Sequence, residues 1–277
     1  TGRREIKLIY PEVIELIRNS SDIAVLSHIM PDGDNIGSSL GLCNALNKIN
    51  KNAVFILDDD VPEIYKFLKG ANDVKKPEFK NDFELVIVLD CGDRARLGSC
   101  EKYLEGKKVI NIDHHMSNTE FGLYNIVDTA ASATSELVYK LIKSMDIPLD
   151  KDICDCLYTG IVTDTGQFQY SNTTDLTHEI TADLIKHGVE AAKLYKAIYQ
   201  NNSKAKMKLI GKAISSMKFY HRDKIASMVL TQEAFESIGA KDEDADGIIN
   251  FARDIAGVEV ALLLKEANDG RVKIGFR

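Results

Sequence analysis

The sequence predicts an α/β protein: an N-terminal parallel sheet with helices on both faces, followed by a smaller C-terminal α+β domain. Three observations carry this. Short continuous apolar runs alternate with longer segments of helical spacing through the first two-thirds of the chain. Those runs lack polar alternation, as strands buried on both faces require. After about His187 the character changes, and strand-like runs are interleaved with helical ones.

The elements follow in order. Residues 23–26 (Ile-Ala-Val-Leu) read as a first buried strand, and 35–49 as a helix with Ile36, Leu40, Leu42, Leu46 and Ile49 near helical spacing. Residues 53–57, 85–89 and 109–112 are the next three strands, and helices are expected at 132–145, 151–162 and 174–187. Residues 189–220 look mostly helical, with Lys204, Lys206, Lys208 and Lys212 on a solvated face. Residues 225–230, 258–264 and 272–276 are strand-like, the last after the hairpin signal Asn268-Asp269-Gly270. The expected division is a first domain over 1–187, a helical connector over 188–203 and a second domain over 204–277.

Composition narrows the function. At 277 residues and 44% hydrophobic, the chain can bury a sizeable core. No apolar stretch approaches the ~20 residues that span a bilayer, and no secretion signal opens the chain, so a cytoplasmic location is expected. The first residue is Thr1 rather than Met, so some preceding sequence is expected to be missing. A net charge of -7 argues against a surface for long duplex nucleic acid, which needs a basic stripe. It leaves room for a small phosphorylated substrate, because bound cations reverse the local field. The 5 cysteines are odd in number and irregular in spacing, which favours a reducing compartment, and Cys154-x-Cys156 reads as packing within a helix.

The residues that carry chemistry lie where strands end. After the first strand comes Ser27-His28-Ile29-Met30-Pro31-Asp32-Gly33-Asp34-Asn35-Ile36-Gly37-Ser38; after the third, Asp90-Cys91-Gly92-Asp93; after the fourth, Asp113-His114-His115. Asp164 stands where a later helix gives way to a loop. Taken singly, Asp32-Gly33-Asp34 is a turn, Asp90 a helix cap and His28 a structural histidine. Open parallel sheets bind ligands beyond the carboxyl ends of their strands, so the clusters converge on one rim. Two divalent ions need several carboxylates to offset their charge, at least one of them shared, and mixed carboxylate and imidazole ligands suit manganese better than calcium.

His28-x-x-Pro-Asp32-Gly-Asp34-x-x-Gly-Ser38, Asp90, Asp113-His114-His115 and Asp164 together resemble the DHH phosphoesterase superfamily, and within it the NrnA-like group of bifunctional oligoribonucleases and pAp phosphatases. The resemblance implies two manganese ions, with magnesium as a substitute. It implies that His28 and Asp32 hold one ion, that Asp34, His114 and Asp164 hold the other, and that Asp90 bridges both. His115 would face the scissile phosphate and Asp113 would orient a neighbouring histidine. Asn35, Ser38 and Arg94 are candidate substrate contacts. Short RNA oligonucleotides or a nucleoside bisphosphate would be the substrate, with a cyclic di-AMP phosphodiesterase or a non-catalytic nucleotide-binding relative as alternatives; a homodimer is compatible with all of these. Such relatives continue into a glycine-rich segment ending in histidine that contacts the substrate. No Gly-Gly pair occurs here, so the natural chain is expected to extend beyond Arg277.

The remaining residues read more plainly. Asp58-Asp59-Asp60 reads as a solvated acidic turn, His178, His187 and His221 as surface or packing residues, and Tyr195 and Tyr199 as a packing seam. The charge generates a prediction. Without a basic stripe, phosphates beyond the first few nucleotides add little, so kcat/KM should peak for RNAs of about two to five residues, with a shallow salt dependence. A ladder of RNA lengths checks it; equal or better turnover of long single strands would contradict it.

Overall fold

The computed structural model describes residues 11–78, 82–267 and 270–277. Helix α1 (Pro11–Asn19) buries Val13, Ile14 and Ile17 ahead of the first strand. The apolar runs then become the strands of one parallel sheet: β1 (Asp22–Leu26), β2 (Asn52–Ile56), β3 (Leu85–Leu89) and β4 (Lys108–Asp113), with a short β5 (Tyr124–Val127) at the edge. β3 is buried at every residue, which is why Leu-Val-Ile-Val-Leu carries no polar alternation. β5 escaped the sequence reading because only Ile126 of its residues is buried.

The strand order is β2-β1-β3-β4-β5. The chain steps from β1 outward to β2, then returns to the other side of β1 for β3. This reversal opens a crevice outside the carboxyl ends of β1 and β3, where open parallel sheets take their ligands.

On one face, Ala24, Leu26, Val86, Val88 and Val109 pack against Leu97, Cys100, Tyr103 and Leu104 of a 3-10 segment, Arg94–Leu104, that the sequence did not reveal. Helix α2 (Gly33–Lys48) contacts β1, β2 and β3, α3 (Thr134–Ser144) contacts β4, and α4 (Lys151–Asp164) packs on α2 and α3. Helices α5 (Asp175–Lys186) and α6 (Ala191–Tyr199) follow. On α6 the buried residues are Leu194 and Ile198, and Tyr195 is exposed.

The contact of α2 with α4 determines the site. Gly33, Gly37 and Gly41 recur every fourth residue and line one side of α2. A Cβ on Gly37 would stand 2.5 Å from the Cys156 carbonyl oxygen and 2.7 Å from the Gly160 nitrogen, backbone atoms with little freedom to move. A Cβ on Gly41 would meet Leu157 at 2.7 Å, and one on Gly33 would collide with the Thr163 side chain. The helices therefore run antiparallel in near backbone contact. The first turn of α2, carrying Asp34, lies beside the last turn of α4, carrying Asp164.

The chain forms two compact units, one running to Ile198 and one from Tyr199. The second holds α7 (Lys204–Ser215), β6 (Lys218–Tyr220), β7 (Ile225–Leu230), α8 (Gln232–Ile238), α9 (Asn250–Arg253), β8 (Val260–Glu266) and β9 (Val272–Phe276). Its sheet runs β6-β7-β8-β9, with β7 and β8 parallel and the outer pairs antiparallel. Leu209, Met228, Leu230, Ile248 and Leu263 form part of its core. β8 and β9 pair as the hairpin signal requires; Asn268 and Asp269 of that signal lie outside the described residues. Cys43, Cys91, Cys100, Cys154 and Cys156 are all free and buried, and burial pushes their thiols up, away from the ligating thiolate form. Among the described residues no helix is long and apolar enough to cross a membrane.

The glycine contact predicts an asymmetry between two alanine substitutions. Gly37→Ala should destabilise the protein by about 1–3 kcal/mol, because the methyl group meets fixed backbone. Gly211→Ala lies within α7 with no atom near its ideal Cβ and should be stabilising by roughly 0.5–1 kcal/mol. Urea denaturation of both variants checks this; equal effects would contradict the close packing of α2 on α4.

Candidate metal centre

The crevice between β1 and β3 is lined by side chains delivered from five strand and helix ends. His28 follows β1 and is 3% exposed. Its Nδ1 lies 2.7 Å from the Ile29 carbonyl oxygen, which can only accept a hydrogen bond. Nδ1 therefore carries a proton, and Nε2 faces Asp90 Oδ2 at 3.4 Å. Asp32 is the N-cap of α2, one carboxylate oxygen accepting from the Asn35 amide at 3.0 Å.

Asp90, the first residue after β3, is the hub. Its φ of +54° lies in the left-handed region, which a short polar side chain tolerates at some cost. Oδ1 accepts from Thr134 Oγ1 at 3.0 Å and lies 3.7 Å from both His114 Nε2 and His115 Nδ1. Asp34 is buried in the first turn of α2, where it accepts from the Thr134 and Ser135 amides at 2.6 and 2.9 Å. These are free N–H groups at the start of α3, a favourable place for a carboxylate. Asp164, the last residue of α4, reaches His114 Nε2 at 3.4 Å. His115 Nδ1 donates to Asp113 Oδ1 at 2.7 Å, and the Asn118 amide donates to Asp113 Oδ2 and Asn111 Oδ1 at 2.6 and 2.8 Å.

The donors fall into three overlapping groups: His28, Asp32 and Asp90; Asp34, His114 and Asp164; and Asp90, His114 and His115. Within each, one ligand atom per residue lies within 4.8 Å of the others. Burial, then the charges of Asp90 and Asp164, raise the pKa of Asp34 well above the usual carboxylate range. Burial raises Asp164 to about 6 despite His114 beside it, and burial with the Asp90 charge also raises Asp32. Burial works against ionisation of Asp90, but His28, His114 and His115 outweigh it and hold that carboxyl low. His115 is raised to about 9, chiefly by its hydrogen bond to Asp113. Among the described residues no lysine or arginine pairs with Asp32, Asp34, Asp90 or Asp164. A cluster of carboxylates and imidazoles whose aspartates no lysine or arginine neutralises fits a hard or borderline divalent ion.

The three substrate candidates sit elsewhere. Asn35 is fully buried, its amide donating to the His28 carbonyl and its oxygen accepting from Ser27 Oγ. Ser38 is buried and donates to the Asp34 carbonyl at 2.6 Å. Arg94 donates to Glu101 at 2.7 Å. The first two side chains therefore serve the fold, and the third is held in a surface ion pair. Asp58-Asp59-Asp60 is more than an acidic turn: Asp58 accepts from the Ser99 amide and hydroxyl, and Asp59 accepts from the Met30 amide at 2.6 Å. Sequence reading missed Thr134, Ser135, Asn118 and Arg96. Asn118 had a local signal, three residues beyond the histidine pair, and Arg96 stands in the segment that follows Asp90; Thr134 and Ser135 reach the site only through tertiary folding.

A parallel sheet with aspartates and histidines at its switch point defines an α/β protein whose clustered groups could hold a metal ion. The N-terminal domain of the DHH family matches residues 22–161, and the chain belongs to that family. It is 32% identical over 256 residues to the bifunctional oligoribonuclease and PAP phosphatase NrnA of Thermus thermophilus, covering 92% of this chain and 75% of the relative. It is 28% identical over 271 residues to the protein of the same name from Bacillus subtilis, covering 96% and 84%. The crystal structure of an exopolyphosphatase-related protein from Bacteroides fragilis superposes with a TM-score of 0.92 at 28% identity, over 98% of this chain and 84% of that one.

The electrostatics predict a pH dependence. Asp32, Asp34, Asp164, His28 and His115 all have raised pKa values, so each favours the folded state while protonated and gives up that stability as pH rises through its folded value. Asp90, whose pKa is lowered, matters only in the acid range. The chelator-treated protein should therefore lose thermal stability as pH rises from the ordinary carboxylate range through about 6 and on to about 9. Asp34→Asn should flatten that slope. Stability that rises across this interval, or an unchanged slope in the variant, would contradict the charge arrangement.

Proposed function

We propose that the protein is a metal-dependent phosphoesterase that hydrolyses short oligoribonucleotides and the 3′,5′-bisphosphate of adenosine. The observation that carries this reading is Asp90, whose two carboxylate oxygens face donor groups on opposite sides. Two ions, with manganese the preferred metal, would be held by His28 and Asp32 on one side and by Asp34, His114 and Asp164 on the other, sharing Asp90. When bound, such ions supply an activated water and a clamp on the phosphoryl oxygens. The names of the Thermus and Bacillus relatives support the choice of substrate.

The protein's own groups complete the chemistry. With its pKa raised to about 9, His115 is protonated at neutral pH. Its side chain is 37% exposed, so it can meet a substrate and pass a proton to the leaving oxygen. Asp113 fixes the ring through Nδ1, leaving Nε2 for that transfer, and Asn118 fixes Asp113 in turn.

A turnover panel tests the reading. Adenosine 3′,5′-bisphosphate and RNAs of about two to five residues should be hydrolysed, and cyclic di-AMP poorly. Asp90→Ala should lower kcat by about 10³-fold or more, with the far-ultraviolet circular dichroism unchanged. A preference for cyclic di-AMP would replace the substrate assignment; full turnover in excess chelator would remove the metal from the mechanism.

A further inference from the structure

Arg96 is the arginine that the structure brings to the crevice. Its backbone is fixed from several directions. The Arg96 carbonyl accepts from the Ile29 amide at 2.8 Å, tying it to the loop that carries His28 and Asp32. Its own amide donates to the Asp93 carbonyl at 3.0 Å, and the next residue, Leu97, is fully buried under the sheet. Gly98 follows with φ of +57°, and a Cβ there would collide with the Asp58 carboxylate and stand 2.8 Å from Ile29 Cγ2. The side chain is thus presented from a rigid base.

Among the described residues the guanidinium has no carboxylate to match. Arg96 Nη2 lies 3.1 Å from His28 Nδ1, but that nitrogen already carries a proton directed at the Ile29 carbonyl. The contact therefore gives the guanidinium no anionic partner. Among the described residues Arg96 forms no salt bridge, in contrast to Arg94, which is held by Glu101. An exposed cation without an anion stands at the edge of a rim otherwise made of carboxylates. Two divalent ions and a protonated His115 would do no more than balance Asp32, Asp34, Asp90, Asp113 and Asp164, so a polyanionic substrate gains from a further cation.

We propose that Arg96 grips a phosphate of the substrate other than the one being cleaved. The inference rests on the phosphoesterase reading given above. Arg96 stands against the Nδ1 side of His28 and Asp90 against the Nε2 side, so the imidazole ring separates them. The reacting phosphate belongs at Asp90; the phosphate at Arg96 is its neighbour along the nucleotide. The planar guanidinium matches two phosphate oxygens at once, which lysine does not.

Binding separates this from the turnover question. Calorimetry would compare wild type, Arg96→Gln and Arg96→Lys, each loaded with manganese, using a slowly cleaved phosphorothioate analogue of adenosine 3′,5′-bisphosphate, and inorganic phosphate as the ligand that fills only the reacting position. Arg96→Gln should weaken the bisphosphate analogue about ten- to a hundredfold, with inorganic phosphate affinity and bound metal unchanged. Arg96→Lys should recover part of the loss, and Arg94→Gln should behave as wild type. An unchanged bisphosphate affinity would overturn the proposal, as would equal weakening of inorganic phosphate, which would place Arg96 on the reacting phosphate. Loss of metal in Arg96→Gln would overturn it too, making the residue a prop for His28. A wild-type protein that binds the bisphosphate through Arg96 but never hydrolyses it would leave this proposal standing and overturn the substrate assignment.

Discussion

The crowding of carboxylates around Asp90 is the constraint on which the rest of the structure depends. Buried acids in contact repel one another and lose their hydration, and a fold that assembles them must supply compensation. Here it comes from backbone amides, neutral side chains and histidines. The first two amides of α3 hold Asp34, Thr134 Oγ1 and three histidines face Asp90, and Asn118 holds Asp113. The histidines offset only part of the negative charge. The fold holds the cluster at a cost that a bound cation would repay, which links the stability of this region to its proposed chemistry.

Three features of the architecture force the crowding. The strand reversal between β1 and β3 places His28 and Asp90 on the two sides of one crevice. The glycines of α2 let α4 approach to backbone contact, which carries Asp164 to the neighbourhood of Asp34. The third is local: Asp90 and Met30 adopt φ values of +54° and +55°, and both turns are anchored. The Asp90 amide donates to the Ile112 carbonyl at 3.0 Å, while the Met30 amide donates to Asp59. Strain of this kind persists where neighbouring contacts over-determine the backbone.

Much of this frame was legible in the sequence, for reasons of locality. β3, β7 and β9 occupy the residues whose apolar or alternating pattern defined them, because strand pattern depends on which faces are covered. The aspartates and histidines stood out because each follows directly on a strand or helix end. β5 is mostly unburied and the Arg94–Leu104 segment has no helical period, so neither carried a pattern to read. Thr134 and Ser135 meet the cluster from an element distant in sequence, and Arg96, though it follows soon after Asp90, meets His28, 68 residues away. Asn35 and Ser38 show the converse: polar residues beside ligand-type aspartates whose hydrogen bonds all turn inward. Asp58 and Asp59 looked like a solvated turn because their partners, Ser99 and Met30, are 41 and 29 residues away.

The central claim is that one aspartate cluster, organised about Asp90, holds two divalent ions. Its most direct test is a calorimetric titration of the chelator-treated protein with manganese, counting ions bound per chain for wild type and for Asp90→Asn. The account predicts two ions per chain in the wild type, and a variant that folds but fails to bind the pair. A wild-type stoichiometry of one or none, or an Asp90→Asn protein that still binds two ions with undiminished affinity, would contradict it.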